Sequence, residues 1–255
     1  MKLAISGKGG VGKTMLAALL AREFAQAGYA VTAIDADPDA NLGLTLGFSD
    51  YDKITPIAEI SSFIEEHAET GSGQSGSLFN LSPRVDDIPS EYAKTQDGIR
   101  LLAMGRPRAG GAGCYCPENA VLAALIAHLL LSPSEVVIMD MAAGIEHLNR
   151  GTARAVDKLI IVAEPGRASL ETARRIIALA GSLGLTDISL VGNKVGSVAE
   201  EKFIRAAFPG CDILGFLPYD ESLIRAELAG KPKLDASPAI SASAREIMKK
   251  LVVTA

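Results

Sequence analysis

Tryptophan is absent from this 255-residue chain, and aromatic residues make up only 5% of it. Its hydrophobic share is nevertheless 48%, so the core must be built from alanine, leucine, isoleucine and valine, as where helices pack on a buried sheet. A disordered chain is excluded. A net positive charge is lacking too: a formal net charge of −5 gives no global field for a phosphate backbone, and no nucleic-acid partner is expected. No run reaches the roughly 18 apolar residues of a spanning helix. Met1-Lys2 leads straight into an apolar strand, with no cleavable leader. No stable membrane anchoring is therefore expected. Three cysteines, an odd number, without a secretory signal point to the reducing cytoplasm, where thiols serve as ligands or nucleophiles. At this length one core is near its upper size, and a single domain over 1–255 is the expected organisation.

What is present is a series of short, continuously apolar runs: Leu3–Ile5, Ala33–Ile34, Ile99–Ala103, Val136–Met139, Leu159–Val162, Ile188–Val191 and Ile213–Leu217. Their lack of polar alternation suits strands covered on both faces. Helical stretches lie between them, for example at Leu16–Ala27, Ala120–Leu131, Leu170–Leu183 and Ile240–Val252. The alternation predicts an α/β fold, a mostly parallel sheet flanked by helices. Ser49 to Gly98 departs from it. That segment holds ten acidic and three basic residues, a net of −7 that leaves +2 for the rest of the chain, and reads as an acidic insertion with one helix near Ile57–Glu66 and a glycine-serine loop.

Gly7-Lys8-Gly9-Gly10-Val11-Gly12-Lys13-Thr14 follows the first strand and opens a helix. Glycines at this spacing let backbone N–H groups turn inward around phosphate oxygens, and the helix start adds its positive dipole end. Lys13 is placed to neutralise the β and γ phosphates and the Thr14 hydroxyl to ligate Mg²⁺. Gly7, Gly9 and Gly12 also satisfy a dinucleotide-binding spacing, with Asp35 and Asp37 where a ribose-binding acid could stand. That rival leaves Lys13-Thr14 unexplained, and leaves unexplained a second acid, Asp140, after the buried strand Val136–Met139. A P-loop uses all of them: Asp140 is the carboxylate that a buried strand delivers beside the phosphates, and Gly144 in the following small-residue turn is a candidate γ-phosphate sensor.

The extra Lys8, together with Asp35-Ala36-Asp37-Pro38 and Asp140-Met141-Ala142-Ala143-Gly144, resembles the deviant Walker A ATPases over nearly the whole chain. That group includes the nitrogenase iron protein, the septum-site and plasmid-partition ATPases and metal-insertion ATPases. The resemblance implies a homodimer that closes around Mg²⁺-bound ATP, with Lys8 reaching the nucleotide of the opposite subunit. It further implies that Asp37 orients the attacking water beside the Mg²⁺ set of Thr14, Asp37 and Asp140. Asp37 to Asn41 would act as a switch. Gly9 to Met15 would cradle the nucleotide, Asn193-Lys194 would read adenine, and Pro218-Tyr219-Asp220 would flank the base.

Gly110 to Asn119 carries Cys114 and Cys116 in a glycine-rich loop, ahead of Pro117 at a predicted helix start. A helix start favours thiolate, the form that binds metal. Two thiolates cannot complete a tetrahedral site; a two-fold dimer supplies four. Two incidental buried thiols remain the alternative, and soft donors suit Zn²⁺ and Fe–S clusters as well as Ni²⁺. Within the group, the combination of this pair with the P-loop most closely resembles the accessory ATPases of carbon monoxide dehydrogenase. This implies a metallochaperone that inserts nickel into that client, with Ni²⁺ or Zn²⁺ at Cys114 and Cys116. A nitrogenase-type reductase or a septum-site or partition switch are the alternatives. Cys211 reads as a core filler.

Overall fold

The computed structural model describes residues 1–37, 39–56, 92–105, 133–143 and 156–253. Among them lie eight strands: β1 (Lys2–Gly7), β2 (Ala30–Ala36), β3 (Ala93–Gln96), β4 (Ile99–Ala103), β5 (Glu135–Met141), β6 (Lys158–Ala163), β7 (Ile188–Val195) and β8 (Asp212–Pro218). They form one sheet in the order β3-β4-β2-β5-β1-β6-β7-β8. Every pairing is parallel except β3 with β4. The interior strands are buried almost end to end; β6 is buried at all six positions. Continuous apolar runs are what strands covered on both faces require.

The helices are α1 (Lys13–Gln26), α2 (Leu42–Leu46), α3 (Arg167–Ser182), α4 (Val198–Ala207), α5 (Ser222–Leu228) and α6 (Pro238–Val253). One core layer joins Leu16, Leu19, Leu20 and Phe24 of α1 and Ile240, Ala244 and Ile247 of α6 to Leu3, Ile5, Ile138 and Ile160. The other joins Leu170, Ala173 and Ile176 of α3 and Ile204 of α4 to Ala4, Ile34, Met139, Leu159 and Ile161. The sheet thus has an apolar layer on each face, as an α/β protein of this length demands. Glu23, buried on α1, is paired with Arg245 of α6 at 2.8 Å, which fastens the two helices of the first layer together.

The seven expected strands are all present. β3 is an addition: it turns back onto β4 through Asp97 and Gly98, at φ 50° and 77°. Part of the acidic segment is therefore built into the sheet edge, and Phe48 and Ile54 near its start are buried in the first core layer. Residues 57–91, with the predicted Ile57–Glu66 helix, lie outside the described residues, as does the predicted Ala120–Leu131 helix. Among the described residues no helix is long and apolar enough to cross a membrane.

Candidate functional site: a phosphate loop with buried carboxylates

β1 sits between β5 and β6 and ends at Gly7, so the phosphate loop leaves the sheet at its carboxyl edge, where open α/β sheets bind their ligands. Two of its glycines are required by space. A Cβ on Gly7 would stand 2.5 Å from the Val162 carbonyl oxygen, and one on Gly12 would stand 2.1 Å from Asn193 Nδ2. Gly12 is also left-handed, at φ 99°, and caps α1 without a side chain. The first-turn amides of α1 are thereby left to an anion. Lys13 is buried at the head of that helix.

Asp140 lies near the end of β5 and pairs in register with Asp35 on β2 and Ile5 on β1. It is fully buried, and among the described residues neither carboxylate oxygen has a hydrogen-bond partner of ordinary geometry. Desolvation pushes its acidity up to about 7; the Thr14 hydroxyl and Lys13 pull it down, and Asp35 and Asp37 raise it further. Three of the four groups that act on Asp140, namely Thr14, Lys13 and Asp37, are ones expected to gather around the phosphates, and Asp35 is an addition. Asp35 is raised by desolvation to about 6, against two backbone N–H groups: Leu42 donates to Oδ2 at 2.8 Å and Asp37 to Oδ1 at 3.3 Å. Asp37 Oδ1 accepts from Asp39 N–H at 3.0 Å, and Ala40 is held at φ 46°. The expected switch segment is tied to the site through Asp35, which carries the N-terminus of α2 just after Asn41.

A buried carboxylate with two unsatisfied oxygens beside a threonine hydroxyl fits a divalent cation. Magnesium in particular takes one or two carboxylates and completes its shell with phosphate oxygens and water. No group of three or more His, Cys, Asp or Glu among the described residues forms a metal cage by itself.

On the other flank, Asn193 is buried and its Nδ2 donates to the Val11 carbonyl at 2.7 Å, while Lys194 Nζ donates to the Gly10 carbonyl at 2.8 Å. Both residues expected at the base are thus bonded to the phosphate loop itself. Pro218 pairs with Val195, and the exposed Tyr219 donates its N–H to the Val195 carbonyl at 3.0 Å, so these residues share one rim with Asn193-Lys194. Asp220 has both oxygens engaged, by Ser222 N–H at 2.8 Å and the Ser237 hydroxyl at 2.6 Å, and these bonds hold its carboxyl below the usual range. Glu164, which pairs with Lys194 at 3.1 Å, had no sequence signal beyond following an apolar strand.

Residues 2–233 match the family described as the CobQ/CobB/MinD/ParA nucleotide-binding domain, CbiA. The chain belongs to this family. It is an ATPase, with the single-domain, mostly parallel α/β fold of the MinD and ParA proteins. It is 42% identical over 255 residues to the carbon monoxide dehydrogenase accessory protein CooC of Rhodospirillum rubrum, covering 99% of this chain and 96% of that one. An uncharacterised ATP-binding protein of Methanocaldococcus jannaschii is also 42% identical, over 98% and 95% of the two chains. Among solved structures, the MinC:MinD cell division complex of Aquifex aeolicus matches at TM-score 0.71 and 22% identity, covering 99% and 96%. A plasmid partition protein of Borrelia burgdorferi bound to AMPPNP matches at 0.70 and 17%, covering 100% and 99%. At those identities the structures speak for the fold alone. Cys114, Cys116, Gly144 and all three histidines lie outside the described residues; Cys211 is half-buried, packed against the core, its thiol pushed up by desolvation.

Proposed function

We propose that this CbiA-family ATPase is a maturation factor that delivers nickel to a carbon monoxide dehydrogenase, working in the cytoplasm as an ATP-dependent homodimer. The supporting observation is the match to the carbon monoxide dehydrogenase accessory protein, 42% identical along 99% of this chain. Fold alone would not choose among ATP-driven switches. In this reading Lys13 neutralises phosphate charge, Thr14, Asp37 and Asp140 form the Mg²⁺ set, and Asp37 also positions the attacking water, while Lys8 reaches the partner's nucleotide. Bound Mg²⁺ supplies positive charge to the phosphate oxygens. Cys114 and Cys116 of each subunit together hold Ni²⁺ or Zn²⁺, and the metal is cargo.

The test is activation of a nickel-free carbon monoxide dehydrogenase at limiting Ni²⁺, with carbon monoxide oxidation as the readout. Wild-type protein with MgATP activates the client, whereas Asp37→Ala and a Cys114→Ser/Cys116→Ser double variant do not. Activation equal with and without the protein would reject the proposal, and an Fe–S absorption band in the anaerobically purified protein would favour a nitrogenase-type reductase.

A further inference from the structure

Asn193 and Lys194 are neighbours in β7, and in a regular strand their side chains would point to opposite faces. Here both reach one loop, bonding to the successive carbonyls of Val11 and Gly10. Two local features allow it: the β7–β8 register slips between Gly192 and Val195, and Lys194 adopts φ 57°. An irregularity of this kind re-aims a side chain. A left-handed non-glycine residue costs on the order of 1–2 kcal/mol, and such conformations persist where the surroundings hold them. Lys194 N–H donates to Asn193 Oδ1 at 2.9 Å, which locks the two side chains' common base.

On its outer side Lys194 Nζ also donates to Glu164 Oε2 at 3.1 Å. Glu164 is itself fixed just beyond β6, its N–H donating to Ser169 Oγ at 3.0 Å and its carbonyl accepting from Gly166 at 2.7 Å. A chain of contacts therefore runs from the end of β6, through a carboxylate and an ammonium, to the phosphate loop.

We infer that Glu164, Lys194 and Asn193 form a brace that aims the amides of the phosphate loop, with Glu164 and Lys194 acting as positioning residues through the loop rather than on the base. In a trans peptide the C=O and the following N–H point in opposite directions. Pinning the Gly10 carbonyl therefore directs Val11 N–H to the other side, and pinning the Val11 carbonyl does the same for Gly12 N–H. Val11 N–H has a long 3.3 Å bond to Lys8 O, a donor that a phosphate oxygen can capture. The Lys194 side chain is 44% exposed, so without Glu164 its ammonium would be free to swing into solvent. An exposed pair alone contributes little; here its effect is carried by the two carbonyls it helps to fix.

The inference rests on nucleotide binding at this loop and is independent of nickel delivery. Calorimetry with the full chain tests it, using two probes: MgADP, and magnesium pyrophosphate, which has neither base nor ribose. Lys194→Met and Glu164→Gln should each weaken both probes by roughly three- to tenfold and by the same factor. Lys194→Arg, whose fork can serve a carbonyl and a carboxylate together, should restore binding to within about twofold of wild type. Glu164→Gln should add nothing in the Lys194→Met background. Lys194→Gly relieves the left-handed strain, so its Tm should hold or rise while its binding stays as weak as that of Lys194→Met. Loss of MgADP affinity with unchanged pyrophosphate affinity would overturn the brace in favour of contact with the base. Additive effects of the two substitutions would remove Glu164 from it. Wild-type protein that binds neither probe would overturn the premise of a phosphate site.

Discussion

At the scale of the residue, Asp140 is a carboxylate whose surroundings suit it only when something positive is bound. In the unfolded chain it takes its ordinary value of 3.8, whereas burial lifts it to about 7 in the fold. Between those values the folded state holds a proton that the unfolded state lacks, so stability without Mg²⁺ falls as pH rises through that window and levels off above it. Asp35, raised to about 6, adds in the same direction. Thermal unfolding in chelator should therefore show Asp140→Asn gaining on wild type as pH rises from 5 to 8, by on the order of 3 kcal/mol at the upper end. Equal pH slopes for the two proteins would refute the assignment. Saturating MgADP should reverse the order at pH 8, because wild type alone retains the carboxylate for Mg²⁺. For hydrolysis the roles separate: Lys13→Ala should lose nucleotide binding, while Asp37→Ala should bind MgATP near wild-type strength with kcat reduced by at least tenfold. Wild-type kcat in Asp37→Ala would withdraw the water-positioning role.

Elements differed in how openly the sequence declared them. Strands β1, β2 and β4 to β8 were legible because burial on both faces writes an uninterrupted apolar run. β3 was not, since Ala93-Lys94-Thr95-Gln96 has no such run; the available signal was Asp97-Gly98, a two-residue turn that needs positive φ at both positions. α4 carries a start signal, Ser197 three residues before Glu200, and the structure has Ser197 Oγ accepting from Glu200 N–H. α2 had none locally: its five residues are capped by Asp35, seven residues before Leu42, which only the fold brings into place. Of the site, the P-loop and Asp140 could be read from spacing, but the union of Asn193 and Lys194 with the loop depends on an irregular β7. That union sets Asn193 against Gly12, where α1 begins. Gly12→Ala should force Asn193 away and strain a φ of 99°, lowering Tm and weakening MgADP by more than tenfold. A Gly12→Ala protein with wild-type MgADP affinity would show that the loop tolerates loss of the Asn193 contact.

For the whole molecule, the proposed mechanism is one of symmetry: in that reading a site on one chain becomes part of a larger, two-fold device. Lys8 lies in the loop, and in the proposed reading the phosphate charge falls to Lys13, which leaves Lys8 for a role across a two-fold interface. Ligand arithmetic makes the same demand at Cys114 and Cys116, because two soft donors per chain become four in a dimer, and four close a tetrahedral thiolate site. Metal and nucleotide should then both drive association, and by linkage each should bind more tightly to the dimer than to the monomer. Light scattering of Asp37→Ala should give a larger dimer fraction with MgATP than with MgADP. Equilibrium dialysis of wild type in reductant should approach one Ni²⁺ or Zn²⁺ per dimer, with affinity falling as pH drops because thiolates must lose their protons to bind. Cys211→Ala, at a half-buried thiol packed against the core, should change neither stoichiometry nor mass. A Cys114→Ser/Cys116→Ser protein that still bound one metal per dimer with undiminished affinity would place the metal elsewhere. The nickel-delivery proposal would then lose its cargo site, while the ATPase would stand.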